Sequence, residues 1–151
     1  MADRPWRRWA RLPAWARWVL AGYVIGFVDG TGAHIRWMLH GGVHAYAGAY
    51  PQLAIQALFV SLVLLDPLAA LLAGLARREG VWLACAIMIA DMIANWEGNW
   101  TRIMASHGRL VDTVPWLITA FGIFVLGTAV PLVHVMGHRG APGPTSASQA
   151  A

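Results

Sequence analysis

Apolar residues fill four long stretches of this chain, and polar residues recur within each stretch at spacings typical of helices. The stretches predict helices over residues 14–39, 52–75, 81–100 and 115–135. Each is close to the roughly 20 residues that an α-helix needs to cross a bilayer. The pattern therefore predicts an all-α integral membrane protein, with a four-helix bundle as one domain over residues 14–136.

The segments around the predicted helices differ from them in composition. Residues 1–13 alternate Trp with Arg, which is typical of an arm that lies at the membrane interface. Residues 39–51 are rich in Gly and Ala and predict a structured loop, and residues 101–114 predict a second one. Residues 137–151 are mainly Gly, Pro, Ser, Thr and Ala, which predicts a disordered tail.

The composition supports the membrane class and gives the predicted helices an orientation. Hydrophobic residues make up 58% of the chain and charged residues only 12%, which is more apolar surface than a soluble domain of this length usually buries. All basic residues are Arg, and they cluster at helix ends rather than on one soluble face, so no nucleic-acid partner is predicted. Most lie on the side of the termini, which predicts cytoplasmic termini in a bacterial inner membrane.

Three polar residues in the third predicted helix mark where function should be sought. Asp91, Asn95 and Asn99 follow one another at steps of four, which places them on one helical face. Ionisable groups at bilayer depth are costly, and they usually face a bundle interior or a wet cavity. We therefore expect a polar cavity inside the bundle.

Three residues are candidates for catalysis by proton transfer. Asp91 suits a general acid/base or a carboxylate that stabilises a cation, although a structural carboxylate bonded to a neighbouring helix fits the pattern equally well. His34 is the natural proton carrier near neutral pH. Asp29 precedes it by five residues, which is not one face of a regular helix unless Gly30 and Gly32 distort the backbone.

Further polar and aromatic residues of the predicted helices are candidates for ligand binding. They are Asn95, Gln56, Ser61, Asp66, Glu97 and Trp96. Asp66 precedes Pro67 and also suits a structural role at a helix kink. Glu97 also suits an ion pair with Arg36 or Arg102.

The sequence predicts neither a metal site nor a cofactor. His40 and His44 are four apart, but they fall in the predicted Gly-rich loop without an assured third ligand. Cys85 stands alone within an apolar stretch. No nucleotide-binding motif or Ser-His-Asp order is present, so any chemistry is expected to be cofactor-free.

The order of these features resembles the EXPERA domain, the four-helix membrane module of emopamil-binding protein and the sigma-2 receptor. Four segments carry the resemblance: Gly26-Phe27 through His34, Ser61-Leu62-Val63-Leu64-Leu65-Asp66-Pro67-Leu68, Ile89-Ala90-Asp91-Met92, and Leu126 through His138 with Pro131. The resemblance implies a pocket that opens sideways to lipid and binds a sterol, terpenoid or amine-bearing lipophile.

The resemblance carries only part of that family's site to this chain. His34, Ser61 and Asp91 have counterparts in the family. At other functional positions of the isomerases this chain has different residues. One position corresponds to Met38, a second falls at about Leu58, and two more fall near Phe124 and Gly127. The resemblance therefore does not imply intact sterol isomerase chemistry.

Three functions remain open from the sequence. The first is a membrane enzyme or receptor for a lipophilic small molecule, with isomerase- or cyclase-type acid/base chemistry if it is an enzyme. The second is an accessory subunit of a larger membrane complex. The third is a transporter or proton path, for which four helices would have to oligomerise. Membrane lipid is the expected surrounding partner in each case, and a homodimer or larger assembly is compatible with all three.

Overall fold

The described part of the chain is almost entirely helical in the computed structural model, which confirms the predicted all-α class. The structure describes residues 5–48, 50, 52–105 and 113–137. No strand occurs among those residues. The helices are α1 (Pro5–Arg11), α2 (Ala14–Gly48), α3 (Leu53–Gly74), α4 (Arg78–Ala105) and α5 (Thr113–Gly137).

Three helices are long and apolar enough to cross a membrane. They are α3, the segment Arg78–Thr101 of α4, and the segment Val114–Gly137 of α5. At most 50% of each apolar stretch is buried, so much of its apolar surface faces outward. Soluble monomers rarely expose contiguous apolar surface on that scale, and the three helices indicate a membrane protein.

The longest helix, α2, is not among these three within the described residues. It has the length to span a bilayer, at 35 residues. However, Asp29, His34 and Arg36 interrupt its apolar sequence, together with several glycines. Two of these residues, Asp29 and His34, line an interior cavity of the bundle.

The four long helices pack in a ring. Helix α2 packs on α3, α3 on α4, and α4 on α5, while α2 and α5 meet over a shorter contact. The large side chains that are fully buried include Leu20, Tyr23, Phe27, Leu62, Val81, Val125 and Leu132. These residues come from all four helices, so the ring shares a single hydrophobic core.

The contact between α2 and α5 lies in the N-terminal half of α2. The Tyr23 hydroxyl donates to the Val125 carbonyl oxygen at 2.6 Å. The rings of Phe27 and Phe121 meet edge to face, with centroids 5.4 Å apart. Gly26 permits this approach, because a Cβ at that position would overlap the Phe121 ring. Here α2 and α5 are held together, and the cavity begins beyond this contact.

The predicted loop over residues 39–51 is wrong for most of its length. Helix α2 continues to Gly48 and is broken at only one residue, Gly42, which has φ 73° and ψ 169°. That backbone conformation favours glycine, so one residue redirects the helix without ending it. The break changes the direction of the last turns of α2 and brings Tyr46 back towards α3.

Helices α3 and α4 are joined by a tight turn, against which the N-terminal arm is docked. Ala76 adopts φ 49°, and the Arg77 N–H bonds the Leu72 carbonyl at 3.0 Å, which closes the end of α3. The predicted interfacial arm forms α1, and its Trp9 indole donates to the Gly74 carbonyl at 2.7 Å. The predicted loop over 101–114 is wrong at its two ends, where residues 101–105 belong to α4 and residues 113–114 to α5. Residues 106–112 of that loop and the predicted tail beyond residue 137 lie outside the described residues.

Candidate functional site

A cavity of about 910 Å³ lies among the four long helices, beyond the contact between α2 and α5. Its polar lining comes from three helices. Those residues are Asp29, His34, His40 and Tyr46 from α2, Tyr50 from just after α2, Asp66 from α3, and Asp91, Asn95 and Asn99 from α4. Helix α5 contributes only apolar residues among those described. We call this space the polar cavity.

One face of α4 supplies a row of polar side chains to the polar cavity. The Asn95 amide donates to the Asp91 carboxylate at 2.9 Å and to the Asp91 carbonyl oxygen at 3.0 Å. The Asn99 amide donates to the Asn95 carbonyl oxygen at 2.8 Å. Asp91 and Asn95 are buried, with 9% and 5% of their surfaces exposed. The amide of Asn95 therefore holds one oxygen of Asp91, while the carboxyl group as a whole borders the cavity.

His34 connects α3 with the end of α2. Its Nδ1 atom lies 2.5 Å from the Tyr46 hydroxyl, and its Nε2 atom lies 3.5 Å from Asp66 Oδ2. The ring also contacts Phe59 at 6.3 Å between centroids. Each nitrogen of the imidazole thus faces a different partner, which fixes the orientation of the ring.

Asp66 is buried against the backbone of α2. Only 5% of its surface is exposed. A Cβ at Gly30 would lie 2.7 Å from Asp66 Oδ2, so the carboxyl group occupies space that any other residue at position 30 would fill. Asp66 and Asp91 both line the cavity and are both buried, so two ionised carboxyl groups there would repel each other with little solvent to screen them. A bound proton or a cation between them would relieve that repulsion.

The polar cavity opens between α2 and α5. The lining residues that are exposed lie on these two helices: Asp29, Trp37, His40 and Gly41 on α2, and Val114 and Leu117 on α5. Trp37 and Leu117 have 67% and 66% of their surfaces exposed, so they form the apolar part of a rim that also contains Asp29 and His40. An opening with such a rim suits a molecule that has both an apolar and a polar part.

Aromatic rings form the wall nearest α3. The rings of Tyr50 and Phe59 lie 4.8 Å apart, and those of Tyr46 and Phe59 lie 6.2 Å apart. Phe121 of α5 also lines the cavity. A deep polar end next to aromatic and aliphatic walls is the usual arrangement of a site for a small amphiphilic molecule.

The structure brings five of the predicted site residues to the polar cavity: Asp29, His34, Asp66, Asp91 and Asn95. The other four do not line it. Gln56 donates to the Tyr50 carbonyl at 2.6 Å, and Ser61 donates to Leu58 within its own helix at 2.7 Å. Trp96 donates to Thr119 at 2.8 Å, and Glu97 is exposed.

Several cavity residues were not among the predicted catalytic or ligand-binding residues, and their sequence signals differ in strength. Asn99 lies on the predicted polar face with Asp91 and Asn95, and Phe59 lies two turns before Asp66 on the same face of α3. Both positions therefore carried a usable signal. Tyr46 and Tyr50 fell in the predicted loop, and only the continuation of α2 past Gly42 reveals their position.

The described residues contain no group of three His, Cys, Asp or Glu side chains arranged to hold a metal ion. Comparison with known proteins gives no assignment either: no protein family, no curated protein and no solved structure matches this chain. The resemblance to the EXPERA domain stays a prediction.

Proposed function

We propose that this chain is an integral membrane protein that binds a lipophilic small molecule with a polar or cationic group in the polar cavity. All four long helices would cross a bacterial inner membrane as one bundle, with both termini in the cytoplasm. The proposal rests on one observation above all: three carboxyl groups from three helices, and a histidine from one of those helices, line a single cavity with a partly apolar rim.

The distribution of charge in the cavity supports a ligand with a cationic or hydrogen-donating group. Asp29, Asp66 and Asp91 line the cavity, whereas no Arg does so among the described residues. Uncompensated carboxylates at bilayer depth are unstable, so they require protons or a positively charged ligand. The apolar remainder of such a ligand would lie against Phe59 and Phe121.

The positions of the Arg residues along the helices support this orientation. Arg77, Arg78 and the Arg residues of α1 lie at the end opposite the polar cavity, because the cavity borders the C-terminal half of α2 and the start of α5. Basic residues concentrate on the cytoplasmic side of membrane helices. The cavity would then lie in the outer half of the membrane, and a ligand would enter from lipid between α2 and α5.

Replacing Asp91 with Asn tests this proposal directly. The variant keeps the size of the side chain and its amide contact with Asn95, but it removes a negative charge. We expect the amount of lipophile that copurifies with the protein to fall by about tenfold, since one charge-assisted contact is worth about 1.5–3 kcal/mol. Lipid extracts of purified wild-type and variant protein, compared by quantitative mass spectrometry, give the measurement.

A matched control separates the site charge from a general loss of charge. Glu97→Asn removes an acidic group from the exposed side of the same helix, and we expect the copurifying lipophile to be unchanged. Equal retention of the lipophile by wild-type protein and Asp91→Asn would show that Asp91 does not bind it.

Acid/base catalysis on the bound molecule is the second candidate, favoured by the placement of His34 between Tyr46 and Asp66. A cofactor-free isomerisation or cyclisation needs a proton donor and a proton acceptor beside the ligand. Such turnover would incorporate solvent deuterium into the ligand when the protein is incubated in D₂O. Retained binding without deuterium incorporation would identify a binding protein instead.

A further inference from the structure

Three polar groups in the polar cavity stand in series. The Tyr46 hydroxyl, the His34 imidazole and the Asp66 carboxyl group are linked by separations of 2.5 Å and 3.5 Å. The first is a short hydrogen bond, and the second is an ion-pair distance that a movement of about 0.5 Å would convert to a hydrogen bond. Groups arranged in this way can pass a proton along the series.

The two ends of the series lie at different depths. Asp66 is buried beside Gly30, two turns further along α3 than Phe59, the residue whose ring Tyr46 contacts. Tyr46 lies after the break at Gly42, at the end of the cavity where α2 terminates. The series therefore connects the deep carboxyl groups with the outer end of the protein.

The tautomer of His34 is coupled to the ionisation of Asp66. When Asp66 is ionised, Nε2 carries the hydrogen and Nδ1 accepts one from the Tyr46 hydroxyl. When Asp66 is protonated, its O–H donates to Nε2, and Nδ1 donates to the Tyr46 oxygen. A neutral imidazole has one donor and one acceptor nitrogen, so both arrangements satisfy every group.

The groups that face His34 determine when its tautomer changes. In the lining of the cavity they are Asp29, His40, Tyr46 and Tyr50 on α2 and just after it, Asp66 on α3 and Asp91 on α4, while the described lining of α5 has no titratable group. Apart from His40 and the two tyrosines, all of them are carboxyl groups. A cation that enters the cavity favours ionised carboxyl groups, and a proton on Asp66 must then leave.

We propose that Tyr46, His34 and Asp66 form a proton-transfer chain that carries a proton from Asp66 to the outer end of the cavity when a cationic ligand binds. This inference rests on the proposed ligand-binding function. The Asp66 O–H bond breaks as Nε2 gains that proton, and the Nδ1–H proton passes to the Tyr46 oxygen. Tyr46 releases its original hydroxyl proton to water, so one proton leaves and Tyr46 and His34 stay neutral.

The chain is tested first without any ligand, by ¹⁵N NMR of histidine-labelled protein in lipid nanodiscs, with the His34 signals assigned from a His34→Gln variant. We expect the His34 tautomer to change with pH in wild-type protein and to stay fixed in Asp66→Asn. Tyr46→Phe should shift the Nδ1 signal. Tyr23→Phe, which removes a hydroxyl outside the cavity, should leave it unchanged. An Nδ1 signal that is the same in wild type and Tyr46→Phe would overturn the chain.

The second test measures proton release when dodecyltrimethylammonium, a permanent cation with no proton of its own, is mixed with the protein in nanodiscs. A pH indicator in stopped flow should report one proton per bound probe in wild-type protein and none in Asp66→Asn. In Tyr46→Phe the same proton should appear at least about tenfold more slowly, because one step of the transfer is missing. An unchanged rate in Tyr46→Phe would refute the chain.

The two tests separate this inference from the proposed function. A probe that does not bind contradicts the ligand-binding proposal, while the ligand-free NMR result still decides whether the three groups are coupled. Conversely, if the probe binds but the rate of proton release does not depend on Tyr46, the ligand-binding proposal stands and the proton-transfer chain is refuted.

Discussion

Replacing Ala33 with Trp is expected to exclude the ligand from the polar cavity. Ala33 lines the cavity on α2, between the deep residue Gly30 and the rim residue Trp37. An indole at this position would project into the space that the ligand needs. Steric exclusion of this kind should weaken binding by well over tenfold, and a tenfold loss alone corresponds to about 1.4 kcal/mol. The copurifying lipophile measured by mass spectrometry should fall to background.

The same substitution elsewhere provides the control for Ala33→Trp. Ala57 is exposed on α3 and does not line the cavity, so Ala57→Trp adds the same bulk to the outer surface. We expect Ala57→Trp to retain the lipophile at the wild-type level. If Ala33→Trp also retained it while folding normally, the ligand would have to bind elsewhere.

Replacing Gly30 with Ala is expected to destabilise the protein and to displace Asp66. The added methyl carbon would lie 2.7 Å from Asp66 Oδ2, so the buried carboxyl group must move away from α2 and from His34. Forced overpacking in a helix interior typically destabilises by about 1–3 kcal/mol. Unfolding in mixed detergent micelles, followed by circular dichroism, measures the loss of stability.

A neighbouring glycine gives a control for which we expect the opposite change in the free energy of unfolding. At Gly32 an added Cβ meets nothing within 4 Å. Ala is a better helix former than Gly by about 0.5–1 kcal/mol, so Gly32→Ala should slightly stabilise the protein. The close approach of Asp66 to α2 is contradicted if the two variants change the free energy of unfolding in the same direction.

Helical spacing predicted the α4 side of the site well. The steps of four from Asp91 to Asn95 and Asn99 placed all three on one face, and all three line the cavity. The reason is local: α4 runs without interruption through these residues, so sequence separation translates directly into direction. The positions of Asp66 and His34 follow similarly from burial of polar groups towards a shared interior.

The parts of the site that depend on contacts between helices could not be predicted in this way. Gln56 and Ser61 are polar residues in an apolar helix, yet their side chains bond backbone carbonyls nearby and do not reach the cavity. Trp96 turns towards Thr119 of α5, a partner 23 residues away. Spacing along one helix cannot distinguish these partners from a ligand.

The outer end of the cavity was not predicted, because a pair of glycines is typical of a loop. Gly41 and Gly42 lower helix propensity, but only Gly42 leaves the helical conformation. The helix then resumes, and Tyr46 packs against His34 and Phe59. Tertiary contacts of the aromatic rings thus offset the weak helix propensity of this segment. Such contacts cannot be predicted from the local sequence pattern.

The most direct test of the polar cavity is photo-crosslinking with an alkylamine that carries a diazirine on its chain, added to the protein in lipid nanodiscs and mapped by peptide mass spectrometry. We predict saturable labelling of residues 29–41 of α2 and 114–121 of α5, which disappears in Ala33→Trp and persists in Ala57→Trp. Labelling spread evenly over outward residues such as Leu64 and Leu71, without saturation and unchanged in Ala33→Trp, would contradict a ligand site between these helices.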